Sequence, residues 1–481
     1  MPYTIPPDTR AIGTGNPPVD MNNVADVLTG SGLSCNILNT AFAGGADPSG
    51  SALSDAALAA AVAAAYAGGP GSTVWIPAGT YKLSQAVACG GGWPGSITIA
   101  GQGWDSQLFM ANGSNAYIFD FGSGGNPLYT PGLEIRDLYL NCNGANQSSA
   151  GGGIYARGAI WCVFDRLWIE TPWGEGIRFY QDGTGNYGHH NTIQNCLFRD
   201  GRNSAGGNGL AAKVQSCDEN LFTGCTFQDC GNTSGASNGQ VYDTGAGLST
   251  YSGCHFVGGA SGVPFVNSDS SPGRLLFTGC QFDSPNGGDM LVLRGPGHVV
   301  TGCQFVNVGN GLSSGQASGV HLYGSTGSVV EACSFGASTA FATAVLEDNG
   351  ATGNSIGLNS YTGTWLNNAP VVLAGAGIQL SPSIVVSPVT AQALSNGTTV
   401  TMSASFGAIP VTATGNVTGI ILATAVNSGQ QVTVINRSAF TVTFAAAGTS
   451  NVADGTADVI PALAARTFTW DTSTARWYRS V

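Results

Sequence analysis

The chain has 481 residues, and only 9% of them are charged, against about 25% in an ordinary globular domain. Because disorder requires high net charge and low hydrophobicity, a hydrophobic content of 43% excludes a largely disordered chain. The net charge of −12 argues against nucleic-acid binding, which depends on clustered Lys and Arg. No apolar run reaches the roughly 18 residues of a membrane span, so we expect no membrane insertion.

The N-terminal part of the chain predicts an arm followed by a helix. Residues 1–40 contain two proline pairs and little hydrophobic periodicity, so we expect an extended arm. Residues 53–66 predict one helix, with Ser54 as its N-cap and Asp55 in its first turn. A helix at this place can cover the open first turn of a repeat protein.

A pattern of about 29 residues recurs through the middle of the chain. Its motif is apolar-x-x-apolar-x-apolar, and four of the seven intervals between its central positions 138, 167, 196, 225, 254, 280, 303 and 333 are 29 residues. Each period also carries an apolar strand after a turn glycine and another before the central position. Three short strands per period, with Gly and Asn at the corners, predict a parallel β-helix, to which we assign residues 41–378.

Cysteine and phenylalanine occupy fixed positions in this repeat. Equivalent residues of adjacent turns lie about 4.8 Å apart, so these side chains should form two inward ladders. Metal binding would require convergent C-x₂-C or His spacing, which the sequence lacks, so we expect no metal and no other cofactor. The cysteines of the ladder are Cys196, Cys225, Cys254, Cys280, Cys303 and Cys333.

The composition changes from about residue 380. Cysteine disappears, and Ala, Val and Thr alternate with polar residues through segments such as 432–436 and 467–470. This alternation predicts antiparallel strands with one buried face, and we assign residues 379–481 to a sandwich-like β domain. A simple cap, a trimerisation module and a glycan-binding module all remain open for it.

The segment from Ala41 to Val62, with V-W-I-P-A-G-T-Y at residues 74–81, carries a resemblance. It resembles the first turn of the pectate-lyase-like right-handed β-helix superfamily, in the form found in bacteriophage tail spikes and depolymerases. The stretches Asp47–Gly50 and Pro77–Tyr81 match that form. The resemblance implies the fold; it says less about the reaction, because one fold hosts many functions.

The resemblance implies a phage tail spike or fibre that recognises host cell-surface polysaccharide, with cleavage by carboxylate-based glycoside hydrolysis as an expected activity. It further implies a homotrimer assembled in the bacterial cytoplasm and carried on the virion, with residues 1–40 attached to other tail or baseplate proteins. Two alternatives stay open. One is a secreted bacterial polysaccharide-degrading enzyme acting as an extracellular monomer, and the other is a noncatalytic adhesion or structural tail protein.

Three carboxylates are candidate catalytic residues. Asp200 and Asp229 end the Cys strands of adjacent turns, 29 residues apart, so their carboxylates should stack about 5 Å apart. Such proximity raises one pKa and provides an acid and a base, and the spacing favours a retaining hydrolysis. The alternative is a pair of solvated turn residues. Glu175, in the same region, is the third candidate.

Candidate substrate-binding residues cluster in the same turns. Aromatic faces pack against sugar rings, while Arg and carboxylates bind hydroxyls or acidic groups. A column of charge along the turn-glycine strands adds Lys213 and Asp243, although such a column can equally reflect mutual neutralisation. The other candidates are Trp173, Arg178, Tyr180, Asp182, Tyr187 and His189.

Overall fold

The computed structural model describes residues 33–90, 96–122, 130–180, 188–201, 207–215, 217–231, 239–244, 248–268, 274–312, 315–366, 370–372, 379–380, 391–400, 408–422, 431–446 and 451–480. The chain is a parallel β-solenoid of about 11 turns with a C-terminal region of mixed strands, which confirms the predicted fold class. It divides into two compact units, Met1–Leu276 and Phe277–Val481.

Helix α1, Asp55–Gly68, packs its apolar residues under the first turns, with Leu58 and Val62 buried. Ser54 occupies the N-cap position, but its hydroxyl accepts the N–H of Asp47 at 3.1 Å instead of capping the helix. Asp55 also bonds outside the helix: its carboxylate accepts the N–H of Ser84 at 2.7 Å. Within the described ranges, no helix is long and apolar enough to cross a membrane.

The Asp-Pro-Ser-Gly stretch of the capping segment is a hydrogen-bonded turn. The carboxylate of Asp47 accepts the N–H of Ala52 at 2.6 Å and that of Ser49 at 2.9 Å. These bonds, led by that of Ala52, lower the pKa of Asp47 to about 2. The aspartate of the motif therefore organises the chain immediately before α1.

Short strands that begin in Met1–Leu276 build the first unit. They are β1 (Ser34–Asn36), β2 (Ser49–Leu53), β3 (Thr73–Ile76), β4 (Gly79–Leu83), β5 (Val87–Ala88), β6 (Thr98–Gly101), β7 (Ser106–Met110), β8 (Tyr117–Asp120), β9 (Thr130–Pro131), β10 (Glu134–Asn141), β11 (Gly152–Arg157), β12 (Ala159–Ile160), β13 (Val163–Glu170), β14 (Glu175–Tyr180), β15 (Thr192–Gln194), β16 (Leu197–Arg199), β17 (Leu210–Gln215), β18 (Leu221–Thr223), β19 (Thr226–Gln228), β20 (Val241–Thr244), β21 (Ser249–Ser252), β22 (His255–Val257), β23 (Val266–Ser268) and β24 (Leu275–Thr278). Two 3₁₀ turns, Gly103–Asp105 and Gly144–Asn146, lie among them.

The strands of this unit form two main parallel sheets. The central-motif strands β10, β13, β16, β19 and β22 pair in that order in the first sheet, and β8, β11, β14, β17, β20 and β23 pair in the second. β1 pairs with β3, so the solenoid begins within the segment that was expected to be an arm. Residues 1–32 of that segment lie outside the described residues.

The predicted inward ladders are present in the first unit. Register pairs Phe198 with Phe227 and Phe227 with Phe256, and their rings stack with centroids 5.1 and 4.6 Å apart. Cys225 is 1% exposed, and its thiol donates to backbone carbonyls of its own and the preceding turn. The 29-residue period therefore reflects a core in which the same type of side chain occupies the equivalent position of successive turns.

The second unit contains the remaining strands. They are β25 (Gln281–Asp283), β26 (Leu291–Leu293), β27 (Val299–Thr301), β28 (Gln304–Val308), β29 (Ala317–Tyr323), β30 (Val329–Glu331), β31 (Ser334–Ala337), β32 (Ala342–Asp348), β33 (Ser355–Gly357), β34 (Ser360–Thr362), β35 (Val371–Val372), β36 (Gln379–Leu380), β37 (Gln392–Leu394), β38 (Thr399–Val400), β39 (Ala408–Ala413), β40 (Val417–Leu422), β41 (Gln431–Asn436), β42 (Val442–Phe444), β43 (Val459–Ile460), β44 (Ala465–Asp471) and β45 (Arg476–Arg479). Phe282, Phe305 and Phe335 form a stack within this unit, with ring centroids 4.8 and 4.5 Å apart.

The C-terminal strands differ from the expected antiparallel arrangement. β37, β39 and β41 pair in parallel, as do β38, β40 and β42, and the antiparallel pairs are β41 with β44, β44 with β45, and β42 with β43. Period-2 alternation reports that one face is buried and does not report the direction of the neighbouring strand. The buried face includes Val434, Phe468 and Trp477.

Candidate functional site

Two columns of outward side chains cross the second sheet of the first unit. Because alternate residues of a strand face opposite sides, residues paired in register align on one face. The first column is Tyr155, Arg178, Lys213 and Tyr242, and the second is Arg157, Tyr180 and Gln215. We call these seven residues the tyrosine–cation ladder.

Each cation of the ladder lies over a tyrosine ring. The guanidinium carbon of Arg178 is 5.3 Å from the ring centroid of Tyr155 and 4.9 Å from that of Tyr180. Arg157 lies 5.0 Å from the Tyr155 centroid, and the ammonium nitrogen of Lys213 lies 5.7 Å from that of Tyr242. Cation–π contacts of this kind hold the cations against the sheet and order the rings.

A buried carboxylate stands behind the ladder. Glu175, at the start of β14, is 4% exposed, and its Oε1 lies 4.0 Å from Nζ of Lys213. The hydroxyl of Tyr117 donates to its Oε2. Tyr117 pairs with Gly152 on the intervening strand, and a Cβ at position 152 would lie 2.7 Å from Tyr117 Cε1. The absence of a side chain at Gly152 therefore lets the phenol reach across one turn.

These contacts shift the acid–base properties of the group. Burial, and then the charge of Glu175, raises the pKa of Tyr117 well above its ordinary value, so the phenol remains a donor. Burial lowers the pKa of Lys213, and Glu175 offsets part of that effect. Burial alone would lower the pKa of Arg178, but the neighbouring Glu175 raises it overall, so this cation stays charged.

The arrangement suits an elongated anionic ligand. Guanidinium and ammonium groups bind carboxylates or sulfates, and half-buried tyrosine faces pack against sugar rings. Nη2 of Arg178 donates to Oε1 of Gln215 at 3.1 Å, which fixes the guanidinium on the sheet. Because the ladder rises one strand per turn, its groups repeat at about 4.8 Å along the solenoid.

Four of the residues predicted from the sequence meet here. Arg178, Tyr180 and Lys213 belong to the ladder, and Glu175 lies beneath it. Trp173 lies in the turn before β14, where its carbonyl accepts the N–H of Gly209 at 3.0 Å. The structure thus places Trp173 beside the ladder strands as part of a turn.

Asp243 occupies a different place from the one expected. Register aligns Lys213 with Tyr242, so Asp243 falls on the inward column next to Val214. Its side chain is 2% exposed and accepts the hydroxyl of Tyr251 at 3.2 Å. A shift of one residue along a strand exchanges the inner and outer faces, which removes Asp243 from the ladder.

Asp200 and Asp229 lie at equivalent corners of adjacent turns. Asp200 follows Arg199 and Asp229 follows Gln228, and these two preceding residues are paired in register. Both aspartates have a left-handed backbone, with φ of 58° and 53°. Asp200 pairs with Nε of Arg199 at 3.0 Å, and Asp229 accepts the N–H of Gly259 at 3.4 Å. These corners end strands of the first sheet, whereas Glu175 begins a strand of the second.

His189 belongs to a separate surface cluster. Its Nδ1 lies 2.6 Å from Nδ1 of His190, and Nε2 of His190 lies 2.6 Å from Oε2 of Glu219. Trp161 packs edge-on against the His189 ring at 6.0 Å. Asp182 and Tyr187, also predicted as binding residues, lie outside the described residues. Across the described ranges, no three His, Cys, Asp or Glu side chains are placed to hold a metal ion.

Sequence reasoning missed Tyr117, Tyr155, Gln215 and Tyr242. Each is a single polar or aromatic residue in a short strand. Only the strand register shows that these residues lie beside the other residues of the site. The alternation within E-G-I-R-F-Y and L-A-A-K-V-Q signals outward residues. It does not tell which strands are adjacent.

Comparison with known proteins supports the fold. A family model described as right handed beta helix region matches residues 147–313. These residues lie within the parallel β-helix of the structure. The match agrees with the right-handed β-helix fold expected from the sequence. Among curated proteins, none shows detectable sequence similarity.

Several solved structures are similar to this chain at low sequence identity. The A-module of mannuronan C-5 epimerase AlgE6 from Azotobacter vinelandii has 18% identity and a TM-score of 0.42, with 73% of this chain and 99% of that one covered. ORF18 of Geobacillus virus E2 has 13% identity and a TM-score of 0.46, with 77% and 64% covered. The adhesin PfbA of Streptococcus pneumoniae has 13% identity and a TM-score of 0.48, with 93% and 98% covered.

Proposed function

We propose that the chain binds an acidic polysaccharide along the tyrosine–cation ladder. The observation that carries this proposal is the alignment of Arg157, Arg178 and Lys213 with tyrosine rings on one sheet face. In a chain of net charge −12 with 15 Lys and Arg residues, three cations lie here on adjacent strands, against two nearby carboxylates, Glu175 and Asp120. The cations take the acidic groups, and the tyrosine rings order those cations.

The spacing supports a polymer as the ligand. From Tyr155 to Tyr242 the first column crosses four strands, which spans about 14 Å at the spacing of a sheet. A ligand that follows this column meets a tyrosine at each end and two cations between them. A single small anion would use only one of these groups.

The binding test uses affinity electrophoresis in gels that contain alginate or polygalacturonate, with carboxyl-reduced forms of the same polymers as neutral controls. Arg178→Ala removes charge-assisted hydrogen bonds and should weaken binding by about tenfold or more. Arg136→Ala is the matched control, because Arg136 carries the same charge on another face and pairs with Glu134. Equal retention of both variants, or of the carboxyl-reduced polymer, would contradict the proposal.

We propose a phage tail spike or fibre as the biological setting, with host surface polysaccharide as the ligand. The residues of the capping segment, Asp47–Gly50 and Pro77–Tyr81, support this assignment. A homotrimer, attachment of residues 1–40 to other tail or baseplate proteins and location on the virion belong to the same proposal. Light scattering should give three times the mass of one chain, and a monomer would favour the secreted polysaccharide-degrading enzyme instead.

Cleavage of the polysaccharide by hydrolysis is a second candidate function. The observation that favours it is the equivalent placement of Asp200 and Asp229 on adjacent turns. Asn is the appropriate replacement, because both positions have the left-handed backbone that Asn tolerates better than Ala. If the pair is catalytic, Asp200→Asn and Asp229→Asn should each abolish fragment release while leaving retention in alginate gels unchanged. Full turnover by either variant would exclude the pair, and retention without release by the unmodified chain would identify a noncatalytic binder.

A further inference from the structure

A second group of aromatic side chains lies on the first sheet, away from the ladder strands. Trp104, in the 3₁₀ turn Gly103–Asp105, is 56% exposed. Its ring meets that of Trp168 edge-on, with centroids 5.0 Å apart and planes at 72°. Tyr139 stacks on Trp168 with ring centroids 4.7 Å apart and planes at 24°. We call these three rings the aromatic shelf.

A row of hydrogen-bonding groups borders the shelf. Tyr139 and Trp168 are paired in register, and two residues further along the same strands register aligns Asn141, Glu170 and Arg199. An amide, a carboxylate and a guanidinium therefore follow one another on three consecutive turns, about 4.8 Å apart. This surface therefore presents aromatic rings in one column and hydrogen-bond donors and acceptors in the neighbouring column.

Contacts inside the group fix its geometry. The hydroxyl of Tyr139 donates to Oε2 of Glu170 and accepts from Nδ2 of Asn141 at 3.2 Å. The guanidinium of Arg199 lies 6.0 Å from the Trp168 ring and pairs with Asp200 at 3.0 Å. These bonds hold Trp168 and the polar row in place, while Trp104 projects from its short turn. A ligand that binds here meets side chains that are already ordered.

The charge of the shelf differs from that of the ladder. Arg199 is balanced by Asp200, and Glu170 adds a negative charge, so an anionic ligand gains nothing from the row. Vicinal hydroxyl groups suit it better, because a carboxylate accepts from two hydroxyls and an amide or guanidinium donates to them. Exposed indole faces pack against the C–H faces of sugar rings.

We propose that the aromatic shelf and its polar row bind a neutral pyranose polymer, with a sugar ring packed on Trp104 and hydroxyls bound by Glu170 and Asn141. The site is independent of the ladder, because the two sites use different strands and one takes an acidic ligand while the other takes a neutral one. A chain with both sites recognises acidic and neutral sugar units on different faces of the first unit.

The test is native affinity electrophoresis of the full chain in gels containing dextran, laminarin, mannan or soluble starch. At least one of these neutral polymers should retard the chain, and Trp104→Ala should weaken that retention by about tenfold or more. Trp104→Phe should restore most of it. The matched control is Trp161→Ala, which removes another surface tryptophan, 62% exposed, whose ring packs against His189 and His190 instead of the shelf.

Three outcomes overturn the proposal. Retention in none of the neutral gels excludes a neutral pyranose ligand, and equal losses for Trp104→Ala and Trp161→Ala exclude a specific role for the shelf. A lower mass of Trp104→Ala in light scattering identifies the shelf as a contact between copies of the chain. Arg178→Ala separates this site from the proposed function, because it should bind the neutral polymer normally even if acidic-polymer binding fails.

Discussion

Glu175→Gln tests the electrostatics on which the tyrosine–cation ladder depends. Glutamine keeps the shape of the side chain and an acceptor for the hydroxyl of Tyr117, but it removes the charge that faces Lys213. The Lys213 side chain is 15% exposed and its Nζ lies 4.0 Å from the carboxylate. Unit charges at this distance attract by about 4 kcal/mol at an effective dielectric constant of about 20. Removing one partner of such a buried pair should lower the free energy of unfolding by about 3 kcal/mol.

The loss should depend on pH with a defined sign. Burial already lowers the pKa of Lys213 in the folded chain, and loss of Glu175 removes the interaction that raises it. Between this lowered pKa and the ordinary lysine value, the unfolded chain binds a proton that the folded chain does not. Stability of the variant therefore rises with pH across that interval. The deficit should be largest below the lowered pKa and should shrink as the pH rises through it.

Urea unfolding followed by circular dichroism at several pH values measures this deficit. The matched control is Glu134→Gln, because Glu134 pairs with Arg136 at 3.3 Å and its side chain is 36% exposed. An exposed pair of this kind contributes about 0.5 kcal/mol, and the arginine partner stays charged throughout. A Glu175→Gln deficit that equals the control, or that stays constant with pH, would refute the electrostatic account.

Three further outcomes follow from the core and the strand spacing. Phe227→Ala should lower the free energy of unfolding in urea by about 3–5 kcal/mol, because the ring is fully buried in the Phe stack; a loss below 1 kcal/mol would contradict this. All 12 cysteines are buried, and burial raises the pKa of Cys35 to about 11 and of Cys162 to about 12. Because burial excludes the reagent, Ellman's reagent should label none of the 12 thiols quickly in the folded chain and all of them in guanidinium. Gly152→Ala should weaken retention in alginate gels and lower the melting temperature, because the added Cβ would lie 1.9 Å from the carbonyl oxygen of Glu175. Unchanged retention would show that binding does not require the contact between Tyr117 and Glu175.

The solenoid could be predicted because one strand type repeats at a nearly constant period. An inward Phe recurs 29 residues later at positions 198, 227 and 256, and the structure pairs these residues in register. The capping segment also predicted the right-handed β-helix fold and the α-helix that begins at Asp55. Strand direction in the C-terminal region could not be predicted, because a half-buried strand shows the same alternation next to a parallel or an antiparallel neighbour.

The candidate site was predicted in part, for a related reason. The loops that precede the second-sheet strands vary in length, so the period of the Cys strands does not carry over to them. Tyr180 and Lys213 are 33 residues apart and Lys213 and Asp243 are 30 apart, and neither pair is in register. A one-residue error then exchanges an outward Tyr242 for an inward Asp243. Composition identified the correct strands, whereas only strand pairing could select the correct column.

On the proposed function, the scarcity of charge elsewhere in the chain would make acidic-polymer binding specific to the ladder. With a net charge of −12 spread over 481 residues, an acidic polymer meets repulsion over most of the chain. Attraction at the ladder is local, because screening limits it to about 10 Å at an ionic strength of about 0.1 M. Arg178 and Lys213 are half-buried, so salt screens their contacts with a bound carboxylate less than those of exposed cations. Acidic-polymer binding should therefore weaken with salt but persist at physiological ionic strength, and the neutral polymer on the aromatic shelf should be nearly insensitive to salt.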